Sequence, residues 1–138
     1  MNPTLAAFTG FVTWTLLLLV LMEGIRTKLV LTKAVAPNGF TPDNARLSPF
    51  MQRLARAHAN CVEGLPVFGG LMAIALIAGK PSITDPLAFV FLIARVLQSI
   101  IHLCSTSPTA VTLRFSAFSV QMAIGFYWAV RLLLALTG

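Results

Sequence analysis

TLAAFTGFVTWTLLLLVLM, from Thr4 to Met22, is a run of 19 residues without a charge. As a helix it would rise about 28 Å, enough to cross a hydrocarbon core of about 30 Å. The rest of the chain suits the same setting. Of its 138 residues, 57% are hydrophobic and 10% charged, and the mean hydropathy is +0.86. A soluble domain carries about 25% charged residues, so this chain lacks the polar surface that water demands. An integral membrane protein is expected, as one domain over residues 1–138. The first run follows no basic segment and is longer than a leader's apolar core, so it is read as a span and not as a cleaved signal.

Beyond Met22, three more spans can be placed. The stretch from Ala36 to Asp43, with Pro37, Asn38, Gly39 and Pro42, is turn-rich and makes a loop to about Leu47. Ser48 before Pro49 offers a capping hydroxyl and a proline at the first helical position. The apolar run from Leu65 to Ala78 has 14 residues and would rise only about 21 Å. The second helix must therefore include the polar stretch from Arg53 to Glu63, and Pro66 is expected to kink it. Gly79 to Ser82 makes a tight turn, Asp85-Pro86 is expected to cap a third helix, and Ser105 to Pro108 turns the chain again. The fold expected is an all-α membrane bundle of four helices, at about 4–26, 49–78, 86–104 and 109–136.

Charge sets the orientation. Arg26, Lys28, Lys33, Arg46, Arg53 and Arg56 lie between the first and second apolar stretches, with Asp43 the acidic residue among them. The 79–86 turn holds only Lys80 and Asp85. The positive-inside rule then places the long loop and the 105–114 turn in the cytoplasm and both termini outside. In a bacterial cell the membrane would be the inner one. The net charge of +6 does not point to nucleic acid, because the basic residues form no stripe interleaved with aromatics.

Charges within spans usually face a bundle interior or a cavity, and here they fall into stripes. Arg56, Asn60 and Glu63 are spaced i, i+4, i+7, one face of the second helix, with Arg53 extending it toward the surface, where it also suits a headgroup anchor. Arg95, Gln98 and His102 are spaced i, i+3, i+7 on the third helix. The two helices run antiparallel and the stripes reach similar depths, so Glu63 and Arg95 are expected to be able to neutralise each other. Arg114 begins the fourth helix and Arg26 ends the first, with Glu23 a turn away as a local partner. Arg26, Arg56 and Arg114 outweigh Glu23 and Glu63, which leaves a place for an anionic ligand suited to arginine's fork, or for anionic lipid headgroups. His58 and His102 have no companion cluster of Cys or Asp, so no metal site is expected. Cys61 and Cys104 sit in apolar stretches and are expected to be free thiols.

The stretch RLARAHANCVEGLP, Arg53 to Pro66, resembles the signature of the MAPEG family, membrane-associated proteins in eicosanoid and glutathione metabolism. The pattern Arg-Ala-x-x-Asn-x-x-Glu is met at Arg56, Ala57, Asn60 and Glu63. Arg95 and Arg114-Phe115 are similar to the family's third and fourth helices, and Arg26 to its first-helix arginine. The resemblance covers nearly the whole chain. One position departs: the family often has tyrosine seven residues after the third-helix arginine, where this chain has His102, and Gln98 stands where some members have another tyrosine.

The resemblance implies a homotrimer that binds glutathione between subunits near the cytoplasmic face. Arg56, Asn60 and Glu63 would hold the tripeptide, with Arg53, Gln98 and Arg95 as further contacts. Arg114, Arg26 and His102 would act on its thiol, since a nearby cation favours the thiolate, which is the nucleophile. The activity implied is a detoxifying glutathione transferase or peroxidase acting on hydrophobic electrophiles from the bilayer. The main alternative is a non-catalytic subunit or scaffold that binds lipid or another protein. A four-helix drug/proton exporter fits less well, because Glu23 stands at the end of the first span and not in its middle.

Overall fold

The computed structural model describes residues 1–138, and every regular element in it is helical. Helix α1 covers Pro3–Leu31. The second span is built from α2 (Pro49–Gly64), a π-helical turn (Leu65–Gly69) and α3 (Gly70–Ile77). A 3-10 turn at Pro81–Ile83 leads to α4 (Asp85–Cys104), and α5 is Pro108–Thr137. All four segments are long and apolar enough to cross a membrane.

The helix starts follow local chemistry. Ser48 Oγ accepts from Met51 N at 3.3 Å, and Ser107 Oγ accepts from Ala110 N at 3.2 Å. Each meets a backbone donor that a helix N-terminus leaves free. Asp85 departs from expectation. It does not cap its own helix, whose cap position, Thr84, makes no side-chain capping bond. Its Oδ1 accepts instead from Thr4 N at 3.1 Å and from Thr4 Oγ1 at 2.5 Å. The carboxylate thereby ties the start of α1 to the start of α4.

Helix α1 runs five residues past Arg26. It ends where Lys33 N reaches Val30 O at 3.0 Å and Ala34 N reaches Leu29 O at 2.9 Å, with Lys33 at φ 61°. This is the left-handed closure usually made by glycine. Gly79, at φ 67°, closes α3 in the same way.

At Pro66 the structure has a π-helical turn: lacking an N–H, the proline cannot continue the i to i−4 ladder, and the extra residue per turn absorbs the break.

Helix α4 packs against α5, α1 and α2. At the centre Phe91 meets Phe68 at 5.0 Å, Phe11 at 5.5 Å and Trp128 at 5.7 Å between ring centroids. Only 31 of the 138 residues are buried. Large apolar side chains such as Leu16, Val20, Phe126 and Leu133 point outward, so the bundle's outer face requires an apolar surround.

Candidate functional site

The end of the bundle that carries the long loop and the α4–α5 turn also carries most of the polar groups. There α2, α4 and α5 enclose a cup of about 350 Å³ lined by Arg56, Ala59, Asn60, Glu63, His102 and Arg114. The i, i+4, i+7 spacing puts Arg56, Asn60 and Glu63 on one face of α2, and His102 and Arg114 close the cup from α4 and α5. Two guanidiniums face one carboxylate there. None of the three is ion-paired, because the only ion pair in the chain joins Arg26 to Glu23.

His102 is buried. Its Nδ1 lies 3.4 Å from Asn60 Nδ2. The amide must be the donor in that contact, so the imidazole carries its proton on Nε2, which has no partner.

Below the cup, a groove of about 490 Å³ shares Asn60, Glu63 and Arg114 with it. The groove passes Gly64, Arg95 and Gln98 and is otherwise walled by Val67, Phe68, Val111, Phe115, Phe118 and Met122. An apolar furrow of about 370 Å³ shares Val67, Phe68 and Met122 and continues to Phe126 and Ala129. A charged cup therefore opens into an apolar path along α5.

The structure sorts the residues singled out in the sequence. Arg56, Asn60, Glu63, His102 and Arg114 come together in the cup, with Gln98 and Arg95 below it in the groove. Arg53 lies aside and donates from Nε to Leu103 O at 2.8 Å, at the C-terminal end of α4, where a cation meets the negative end of the helix dipole. Arg26 is also outside the cup. It donates from Nη1 to Glu23 Oε1 at 2.9 Å, the local pairing the sequence suggested, from Nε and Nη2 to Asn44 Oδ1 at 3.1 and 2.6 Å, and from Nη2 to Thr41 O at 3.2 Å. Cys61 and Cys104 are both free thiols.

The pairing expected between Glu63 and Arg95 is not formed. Arg95 Nη1 donates instead to Asn60 O at 3.3 Å, and the guanidinium lies over Phe11 and Phe68. Glu63 lines the cup and is exposed. Similar depth did not bring them together, because depth does not fix the direction in which each side chain leaves its helix.

Two buried polar residues near the site were not singled out from the sequence. Gln121 is fully buried and donates from Nε2 to Gln98 Oε1 at 2.8 Å. It lies seven residues after Arg114, so the stripe rule applied to the second and third helices would have found it on the fourth. Asn44 is also fully buried and holds the loop to both α1 and α2. Its only signal was an asparagine within a turn-rich segment.

The model of the MAPEG family matches residues 4–134 of the chain. Comparison with curated proteins gave no match, and comparison with solved structures gave none. The family match spans nearly the entire chain, and four spanning helices carry the Arg56, Asn60 and Glu63 face, so this integral membrane protein belongs to the MAPEG family.

Proposed function

We propose that the protein is a glutathione-dependent transferase or peroxidase that acts on hydrophobic electrophiles drawn from the bilayer. The observation that carries this reading is the joining of a cationic cup to an apolar groove. Glutathione is a small polar anion with two carboxylates, one amine and one thiol. Arg56 and Arg114 suit the carboxylates or the thiolate, Glu63 suits the amine, and Asn60 suits the peptide groups. The cup is then glutathione's place and the groove that of the second substrate.

In conjugation the thiol gives its proton to solvent, and the thiolate sulfur bonds to the electrophilic carbon as the carbon's leaving group, such as halide, departs with its electron pair. Arg114 favours the thiolate by charge. His102 stands where it can contact the tripeptide. Arg26 lies outside the cup of its own subunit, so in this reading it reaches glutathione only across a subunit boundary. A homotrimer supplies such boundaries and would also cover part of the exposed cup. The cup faces the cytoplasm, since the same end carries the basic loop.

The test is purification in mild detergent, followed by glutathione titration, thiolate absorbance and conjugation of an aryl halide. Saturable binding with thiolate formation and conjugation is the expected result. Absence of glutathione binding by folded protein would remove this reading and favour a non-catalytic scaffold of the same fold.

A further inference from the structure

Gln98 and Gln121 carry amides that could exchange two hydrogen bonds, and they make one. Gln121 Nε2 lies 3.1 Å from Ala117 O, a backbone carbonyl that can only accept. The same Nε2 is therefore also the donor in its 2.8 Å contact with Gln98, and Gln98 Oε1 is the acceptor. That fixes the sense of both amides. Gln121 Oε1 is buried without a partner. Gln98 Nε2 is turned away from Gln121 and makes no hydrogen bond within the chain, and Gln98 borders the groove.

A pair that served only to join helices would close its amides on each other. This one leaves an N–H₂ group to the groove, at a level where no other donor is free. Arg95 is the other polar side chain there, but its Nη1 is engaged by Asn60 O, and its Nε and Nη2 are covered. Gly64 closes against that edge, since a β-carbon there would lie 2.7 Å from Nη2. The walls beside Gln98 are otherwise apolar, with Phe68, Phe118 and Met122 among them. A neutral donor in such a place suits a neutral acceptor oxygen. Gln98 also stands one turn along α4 from His102 in the cup, about 6 Å. An oxygen held at Gln98 leaves the other end of a short conjugated unit at the foot of the cup.

We infer that Gln98 is a catalytic residue for conjugate addition: its Nε2 donates to the carbonyl oxygen of an α,β-unsaturated ketone or aldehyde, and Gln121 is the positioning residue that aims it. This rests on the reading of the cup as glutathione's place. The thiol gives its proton to solvent, and the sulfur bonds to the β-carbon. The electron pair of the carbon–carbon double bond moves toward the carbonyl, so negative charge develops on its oxygen, where the Gln98 N–H meets it. The enolate then takes a proton from solvent at its α-carbon, and no group leaves.

The experiment uses the full chain in mild detergent, with glutathione and two electrophiles: 1-octen-3-one, and benzyl chloride, which has no oxygen. Each catalysed rate is divided by its uncatalysed rate, and the two accelerations are compared as a ratio. The wild type should favour the enone, and Gln98→Met should lower the ratio about 100-fold, in kcat more than in KM. Gln121→Met, which leaves Gln98 in place but unaimed, should lose a smaller part of it. A ratio taken on one sample is not moved by partial unfolding, so helix packing alone does not produce these changes. A second measurement needs no turnover: the labelled carbonyl carbon of bound 3-octanone should shift downfield in the wild type and less in Gln98→Met. A wild-type ratio near one, or an unshifted carbonyl in bound 3-octanone, would overturn the inference even where the variants fail to fold. A folded Gln98→Met protein with the wild-type ratio would do the same, and an unchanged ratio in Gln121→Met would overturn its positioning role. Glutathione binding and benzyl chloride conjugation with a ratio near one sink this inference alone. Absence of glutathione binding sinks the transferase reading, and the reaction assigned to Gln98 with it.

Discussion

Gln121 Nε2 on α5 donates to Gln98 Oε1 on α4 at 2.8 Å, joining two helices by a buried polar contact just below the cup. Hydrogen bonds between membrane helices average about 0.6 kcal/mol and reach about 1.7 kcal/mol. Gln121→Met should therefore lower stability by roughly 0.5–2 kcal/mol. Gln98→Met with Gln121→Met should recover part of the loss, because it strands neither amide. Reversible unfolding of the two single variants and the double variant in mixed micelles measures this. Strict additivity would show that the contact carries no coupling.

Asn44 makes a comparable prediction in the loop. Its Oδ1 accepts from Arg26, its Nδ2 donates to Met51 O at 2.7 Å, and its backbone sits at φ 56°. Asn44→Ala leaves Arg26 Nε without its acceptor and removes the donor from Met51 O, which costs about 1–3 kcal/mol. Hydrogen exchange should then rise across residues 36–48 while α4 stays protected. The neighbouring Asp43 carboxyl is held below its usual range, first by the Thr41 hydroxyl and then by Ala45 N–H. A lowered carboxylate pKa stabilises the folded loop above the ordinary carboxylate range. That contribution is lost as pH falls through the lowered value, so loop protection, measured relative to the intrinsic exchange rate at each pH, should fall in acid, and less so in Thr41→Val.

Lys33 and Gly79 end two helices with the same backbone turn, at φ 61° and 67°. For lysine the left-handed region costs roughly 1–2 kcal/mol relative to the right-handed one, a penalty glycine avoids. Lys33→Gly should stabilise by up to about 1 kcal/mol, since glycine's greater freedom in the unfolded chain offsets part of the gain. Gly79→Ala should destabilise. Thermal unfolding of the two variants compares them directly, and a Lys33→Gly protein that melts lower would refute the assignment.

What could be read from the sequence divides by the kind of physics involved. Four spans were legible because a bilayer fixes their length and composition, and Ser48-Pro49 marked a start that the structure keeps. The polar face of α2 was legible because 3.6 residues per turn leaves little choice about Arg56, Asn60 and Glu63. The end of α1 was not, since Lys33 closes the helix in a conformation its identity does not favour. Asp85 was assigned to its own helix because capping is read locally, yet its carboxylate serves α1, some eighty residues earlier in the chain. Arg95 and Glu63 failed to pair for a similar reason. Depth is a one-dimensional quantity, and pairing needs the rotation of each helix as well.

Topology offers an independent check on where the cup faces. Tags at either terminus should report outside the cytoplasm, and a tag near Asn38 inside, since the long loop and the α4–α5 turn share one end of the bundle. Moving positive charge to the 79–86 turn should weaken that preference. A cytoplasmic C-terminus in the wild-type chain would reverse the orientation and place the cup at the opposite face.

The cup makes the sharpest prediction. Arg56 and Arg114 are both without an ion-pair partner, so an anionic ligand there gains two guanidiniums that no internal carboxylate has claimed. Losing one partner of a desolvated charge pair costs about 2–5 kcal/mol, which is tens- to thousands-fold in affinity. Arg56→Ala and Arg114→Ala should each weaken glutathione binding by that order in isothermal titration. Arg114→Ala should also reduce the thiolate absorbance of bound glutathione at fixed pH, because it removes the nearby cation. Glu63→Gln separates two roles. It should weaken glutathione without changing the melting temperature, since Glu63 is exposed and supports no ion pair in the free protein. Lys33→Ala and Arg131→Ala are the controls, at the end of α1 and the far end of α5, and both should bind normally. Equal binding by the wild type and by both arginine variants would remove glutathione from the cup, whatever the protein's activity proved to be.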